Sequence, residues 1–174
     1  MEAKMSFSKA EEICLYWEIQ ADNGGGMGVS SFLAQRPSEE AEYDAAYEII
    51  QAARPTYFGE VGVINVTPHS ITFEWDGEPV NVSTSGVVIN ATPQETVIEE
   101  RFGATLVRTV FVGNDDSERD LMALRRRFPR ALLVGSIIAA QAYPGQVVAM
   151  VPAPGFERVP PADKRMRPDK FTTF

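Results

Sequence analysis

The chain has 174 residues, 44% hydrophobic and 23% charged, with a net charge of −8, the balance of an ordinary globular protein long enough to bury a substantial core. No apolar run approaches the roughly 20 residues of a membrane span, the first 17 residues carry no apolar leader core, and the single Cys14 excludes an internal disulfide and a cysteine zinc cage. A reduced, cytoplasmic setting without membrane contact is expected, and the acidity argues against non-specific nucleic-acid binding, which needs clustered Lys and Arg.

Residues 1–60 hold eleven acidic and four basic side chains and read as an acidic helical extension. Ser8 followed by Glu11 has the spacing of a capping box, and Ile13, Tyr16 and Trp17 recur at helical spacing until "ADNGGGMG" (21–28) ends the pattern. "DNGGGMGVSS" lacks the Lys-Ser/Thr of a phosphate loop and follows no buried strand, so it reads as a linker. A second helix is expected over "RPSEEAEYDAAYEIIQAARP", capped by Ser38 and stopped by Arg54-Pro55.

From Val61 the period changes to two, opening an α/β core over 61–156. "GVINV" reads as a strand that ends in an extended Thr67-Pro68 kink, followed by His69. "SITFEW" and "EPVNVS" flank Asp76-Gly77, a strong hairpin signal, and "GVVINA" (86–91) reads as another strand. "TLVRTVFVG", "NDDSERDLMALRRRF" and "ALLVGSII" together read as strand, helix and strand, a βαβ unit with parallel strands. "GSIIAAQA" (135–142) reads as a short helix and "GQVVAMVPAPG" as a returning strand. The basic, Pro-rich tail at 157–174 is expected to be an extended arm, solvated or wrapped over a neighbour or a ligand. The fold class expected is α/β, a mixed sheet with a C-terminal βαβ unit preceded by two N-terminal helices.

Three places invite chemistry. "GNDDSERD" (113–120) has no glycine or glutamate where a calcium loop needs them, so it reads as an acidic helix start, and no metal or cofactor is expected. His69 is the only imidazole, so any Ser-His-Asp chemistry passes through it; it either braces a turn or touches a ligand. Gly135 and Ser136 stand where a strand hands over to a helix, a place that favours an anionic or polar ligand, with Gln141 one turn on. The bland alternative there is close packing against the sheet or a second subunit. Arg108, Lys164, Arg165 and Arg167 are the candidate anion partners.

The segments "INVTPHSITF", "VRTVF" and "LLVGSIIAAQAYPGQVVA" resemble an uncharacterised phage and bacterial family. Its members pair an Asn-x-Thr-Pro-His start with a later S-x-[IV]-x-A segment, here Ser136, Ile138 and Ala140. The resemblance covers about residues 61–155 and implies a phage or prophage origin rather than an activity. A looser similarity links the strand-to-helix turn to small viral ring nucleases that degrade cyclic oligonucleotide signals. Their helix carries a catalytic histidine where this chain has Ala139, Ala140 and Gln141, so the resemblance implies nucleotide binding more than cleavage.

The leading expectation is a homo-oligomeric, phage-type cytoplasmic protein that binds a small anionic, nucleotide-derived ligand through His69, Ser136, Gln141 and the cations, as a counter-defence factor. The alternatives are a cyclic-nucleotide phosphodiesterase-like enzyme working through His69, and an assembly protein with no small ligand.

Overall fold

The structure, a computed structural model, describes residues 5–26, 28–34 and 36–174. The leader and glycine-loop readings fall in part on residues 1–4 and Met27, outside the described residues. Helix α1 (Phe7–Asn23) is capped by Ser6, whose hydroxyl accepts from the Lys9 N–H at 3.3 Å. The capping box at Ser8 is therefore corrected. Ser8 lies in the first turn, and its N–H donates instead to the Asp120 carboxylate at 2.7 Å. After Gly25 and Gly26, both at positive φ, comes a short helix α2 (Val29–Leu33), where the glycine-rich pattern predicts a linker. Helix α3 (Pro37–Ala52) starts on its proline, which needs no N–H there, so Ser38 sits inside the helix and does not cap it.

Strands β1 (Thr56–Phe58), β2 (Val61–Asn65), β3 (Ile71–Trp75) and β4 (Glu78–Val82) follow. Asp76 and Gly77 have φ of 52° and 83°, both positive as a two-residue hairpin turn requires. Next come β5 (Thr92–Arg101), β6 (Ala104–Val112), helix α4 (Asp115–Arg127), β7 (Ala131–Gly135), helix α5 (Ile137–Ala142), β8 (Val147–Pro152), a 3-10 turn (Pro161–Asp163) and β9 (Met166–Thr172). Seven strands form one sheet in the order β1-β2-β7-β8-β9-β3-β4, and β5-β6 stand apart as a two-stranded ribbon. The protein is an α/β fold with N-terminal helices and a mixed sheet.

Four details differ from the sequence reading. Residues 86–91 are extended but join no ladder; Val87 and Ile89 are buried, and the Ile89 N–H donates to the Val66 carbonyl at 3.1 Å. Strand β5 was not foreseen. The βαβ unit is β7-α5-β8, with Leu133 in parallel register with Val147, because β6 pairs only with β5. The tail is no arm: β9 lies inside the sheet between β8 and β3, antiparallel to the first and parallel to the second.

The helices share a core with one sheet face, where Phe7, Ile50, Leu121 and Leu124 meet Ile64, Leu133 and Val147. The triple arginine that closes α4 holds α1 in place. Arg127 grips Glu18 through two bonds of 2.7 and 2.8 Å, and Arg126 reaches the buried Glu11 at 3.2 Å. Removing Arg126 would strand that carboxylate, the costly way to break a buried pair.

Cys14 lies in the same core. Burial, then the nearby Glu18 carboxylate, push its thiol up to about 11, and burial, Cys14 and Glu18 push Tyr43 up to about 12. The unfolded chain releases both protons at ordinary values while the fold retains them. Stability is thus full at neutral pH and falls as pH rises through this alkaline range. Only the thiolate reacts, so Cys14 is expected to resist disulfide-exchange reagents at neutral pH until the chain is unfolded. Prompt labelling of the native protein would contradict this placement.

The opposite face of the sheet curls onto itself. Phe58 of β1 and Phe73 of β3 stand five places apart in strand order, yet their ring centroids are 5.0 Å apart, and Trp75 lies 5.7 Å from Phe58. Together with Val63, Val134, Ile71 and Val82 they fill the inside of an open barrel.

Candidate functional site

Strands β2, β7 and β8 run parallel, so their carboxyl ends meet at one rim of this barrel. The starts of β9 and β3 and the end of β4 complete that rim, because β9 runs against β8, with β3, and β4 against β3. The rim encloses a hollow of about 610 Å³, within the usual range for a small-molecule site.

His69 and Ser136 face this hollow from the ends of β2 and β7, and Lys164 faces it from the approach to β9. Thr72 and Asn81 add further polar groups, while Met150, Met166 and Ile71 make an apolar floor. None of the lining residues is acidic. Among the described residues Lys164 has no ion-pair partner, and the His69 imidazole has no hydrogen-bond partner. Both are therefore free to meet a ligand. The Ser136 hydroxyl accepts from the Ala139 N–H at 3.1 Å, which caps α5 and leaves its own proton available to donate.

The Asn-x-Thr-Pro-His motif acts here as a clasp. Asn65, 1% exposed, donates from its amide to the carbonyls of His69 at 2.7 Å and Val82 at 3.2 Å. Its carbonyl oxygen accepts from the Thr67 N–H at 2.9 Å and from the Thr67 hydroxyl at 2.7 Å. The loop is thereby tied to β2 and β4, and the imidazole is left on the open side. Asn65→Ala deprives the buried Val82 carbonyl of its amide donor and the Thr67 N–H of its acceptor, at an expected cost of about 1–3 kcal/mol. Urea unfolding measures this; an unchanged midpoint would contradict the clasp. The similar hexapeptide at 89–94 is built differently: Asn90 is exposed, and among the described residues its backbone carbonyl accepts from the Tyr143 hydroxyl at 3.3 Å while its side chain has no partner.

The structure brings together His69, Ser136 and Lys164 and leaves the remaining candidates elsewhere. Gly135 is buried, and a Cβ there would come within 2.7 Å of Val147 Cγ1, so its bareness serves packing between β7 and β8. Gln141 is exposed on α5, away from the hollow, and Arg108 lies exposed on the β5–β6 ribbon. Arg165 is bound to Glu74 at 2.6 Å, stacks over Phe156 and borders a smaller adjoining hollow of about 280 Å³. Arg167 grips Asp169 through bonds of 2.9 and 2.6 Å, and that guanidinium holds the Asp169 carboxyl below its usual range. The acidic start of α4 is likewise accounted for. Asn114 caps it by accepting from the Ser117 N–H at 2.9 Å, and Asp116 pairs with Arg119.

Asn65, Thr72, Asn81 and the two methionines were not singled out from sequence. Asn65 had a signal in the motif itself. The others lie on strands whose pairing alone brings them to the rim. No family model, curated protein or solved structure matches this chain.

Proposed function

We propose that the chain binds a small anionic, nucleotide-derived ligand in the hollow at the barrel rim and acts by sequestering it, as a phage counter-defence factor would. The observation that carries this reading is the convergence of His69, Ser136 and Lys164, three candidates from separate parts of the sequence, on one hollow lined by no acidic residue. Lys164 supplies the fixed charge, Ser136 and Thr72 supply hydroxyl donors, and Met150 and Met166 offer a polarisable floor to a flat base. The position, beyond the carboxyl ends of parallel strands, is where open α/β sheets place ligands.

Binding without turnover fits the single imidazole better than hydrolysis. The lining around His69 offers no carboxylate to pair with its ring, and the Ser136 hydroxyl is engaged as the cap of α5. Calorimetry of the purified protein against inorganic phosphate, mononucleotides, cyclic mononucleotides and cyclic dinucleotides tests the reading. Saturable heat with recovery of the intact nucleotide supports it. Conversion of the nucleotide favours a phosphodiesterase, and silence across the panel defeats the nucleotide assignment.

A further inference from the structure

The segment that carries Lys164 to the rim has two sides. It begins as a single 3-10 turn, Pro161–Asp163, in which the Asp163 N–H donates to the Pro160 carbonyl at 2.9 Å. One side of this segment faces the large hollow, and the other borders the second hollow of about 280 Å³. Thr72 of β3, Ala162 and Lys164 line both, so the two spaces adjoin across a shared wall whose cation is Lys164.

The two spaces differ in chemistry. The larger has no acidic lining residue, whereas the smaller has Asp163. Among the described residues the Asp163 carboxylate is in no ion pair. Arg165, the other cation of the smaller space, is already engaged, paired with Glu74 at 2.6 Å and stacked 4.9 Å from the centre of the Phe156 ring. The smaller space is therefore no second anion site. Its free polar group is an acceptor, set beside the apolar surface of Phe156 and Pro79.

An unpaired carboxylate next to a phosphate position is how dinucleotide-binding folds hold ribose hydroxyls. Its two oxygens accept from two neighbouring hydroxyls at once. Size agrees with a sugar. An apolar cavity of about 150 Å³ already accommodates benzene, so a hollow of about 280 Å³ has room for one sugar ring with its hydroxyls. Pro79, Ala162 and Asp163 are exposed, which leaves a base beyond that sugar free to reach solvent. A terminal phosphate at Lys164 carries its second charge towards Asp163, whereas a diester carries one charge and continues into a neutral sugar.

Resting on the reading of the rim as a nucleotide site, we infer that the ligand is a phosphodiester that spans both hollows. One nucleoside occupies the larger, the phosphate lies on Lys164, and the ribose of a second nucleoside enters the smaller with its hydroxyls on Asp163. Calorimetry of the full chain with AMP, GMP, CMP and UMP and with ApA, GpG, CpC and UpU tests this. For the base that binds, the dinucleoside monophosphate is expected to bind about 10-fold tighter than the mononucleotide, although it carries less charge. Asp163→Ala is expected to bring the two affinities to within about twofold of each other. The 2′-deoxy dinucleoside should lose the same advantage on the wild type, and should lose nothing further on Asp163→Ala. A mononucleotide that binds as tightly as its dinucleoside monophosphate overturns the inference and leaves the rim reading standing. So does a preference that survives both Asp163→Ala and removal of the 2′-hydroxyls. Silence of both series defeats the rim reading and the inference with it.

Discussion

Phe73→Ala is expected to destabilise the protein by about 3–5 kcal/mol, the usual cost of emptying a fully buried phenylalanine site. Phe73 is 0% exposed and touches Phe58 at 5.0 Å and Phe171 at 6.4 Å, so one side chain joins β1, β3 and β9 across the inside of the curled sheet. Set against a typical total of about 5–15 kcal/mol, the loss lowers the urea midpoint steeply. It also loosens the start of β3, which carries Ile71 and Thr72 to the rim, so ligand affinity should fall with stability. Met122→Ala on the exposed side of α4 is the matched control, expected within about 0.5 kcal/mol of wild type. Equal midpoints for the two variants would mean that the sheet does not close through Phe73.

Lys164→Glu is expected to abolish capture of an anionic ligand while leaving the fold intact. Lys164 is half-buried at the rim and has no acidic partner among the described residues, so reversing its charge strands no carboxylate. Loss of one charge-assisted hydrogen bond costs about 1.5–3 kcal/mol, roughly a 10–100-fold drop in affinity for Lys164→Ala. The glutamate adds repulsion to that loss. Arg167→Ala and Arg108→Ala, on cations that the structure keeps away from the hollow, should bind as wild type does. Calorimetry with whichever nucleotide of the panel binds decides. Retained affinity in Lys164→Glu, or a loss in Arg167→Ala, would move the site.

Elements with a buried face and ordinary punctuation were the legible ones. Helix α4 declares itself through Asn114, its first-turn acids and its terminal arginines, and the β3–β4 hairpin through Asp76-Gly77. Strand β5 could not be read because "TPQETVIEER" is bare on both faces and rich in charge, whereas its equally exposed partner β6 was legible through its β-branched residues. Residues 86–91 show the reverse. Their burial alternates as in a strand, since Val87 and Ile89 plug into the helix-side core, but their backbone passes over the end of β2 without pairing.

The tail misled through its prolines. Pro168 belongs to β9, an interior strand where proline is normally excluded. It is tolerated because the pairing with β8 is irregular there: Phe171 and Met166 have partners at Met150 and Pro152, with a register shift between them. Of the site, His69 and Ser136 were readable as ends of strands, and Lys164 as a cation near the chain end. Their meeting depended on the curl of the sheet, which arises from contacts such as Phe58 with Phe73 that no local pattern encodes.

His69 offers the most direct measurement, because it is the only histidine and its ring signals in an NMR spectrum belong to one residue. Titration with a nucleotide that binds calorimetrically should shift the His69 ring resonances in step with saturation, and the shift should vanish in Lys164→Glu. A nucleotide that saturates the protein while leaving the His69 signals unmoved would place its site elsewhere and contradict the assignment of the barrel rim.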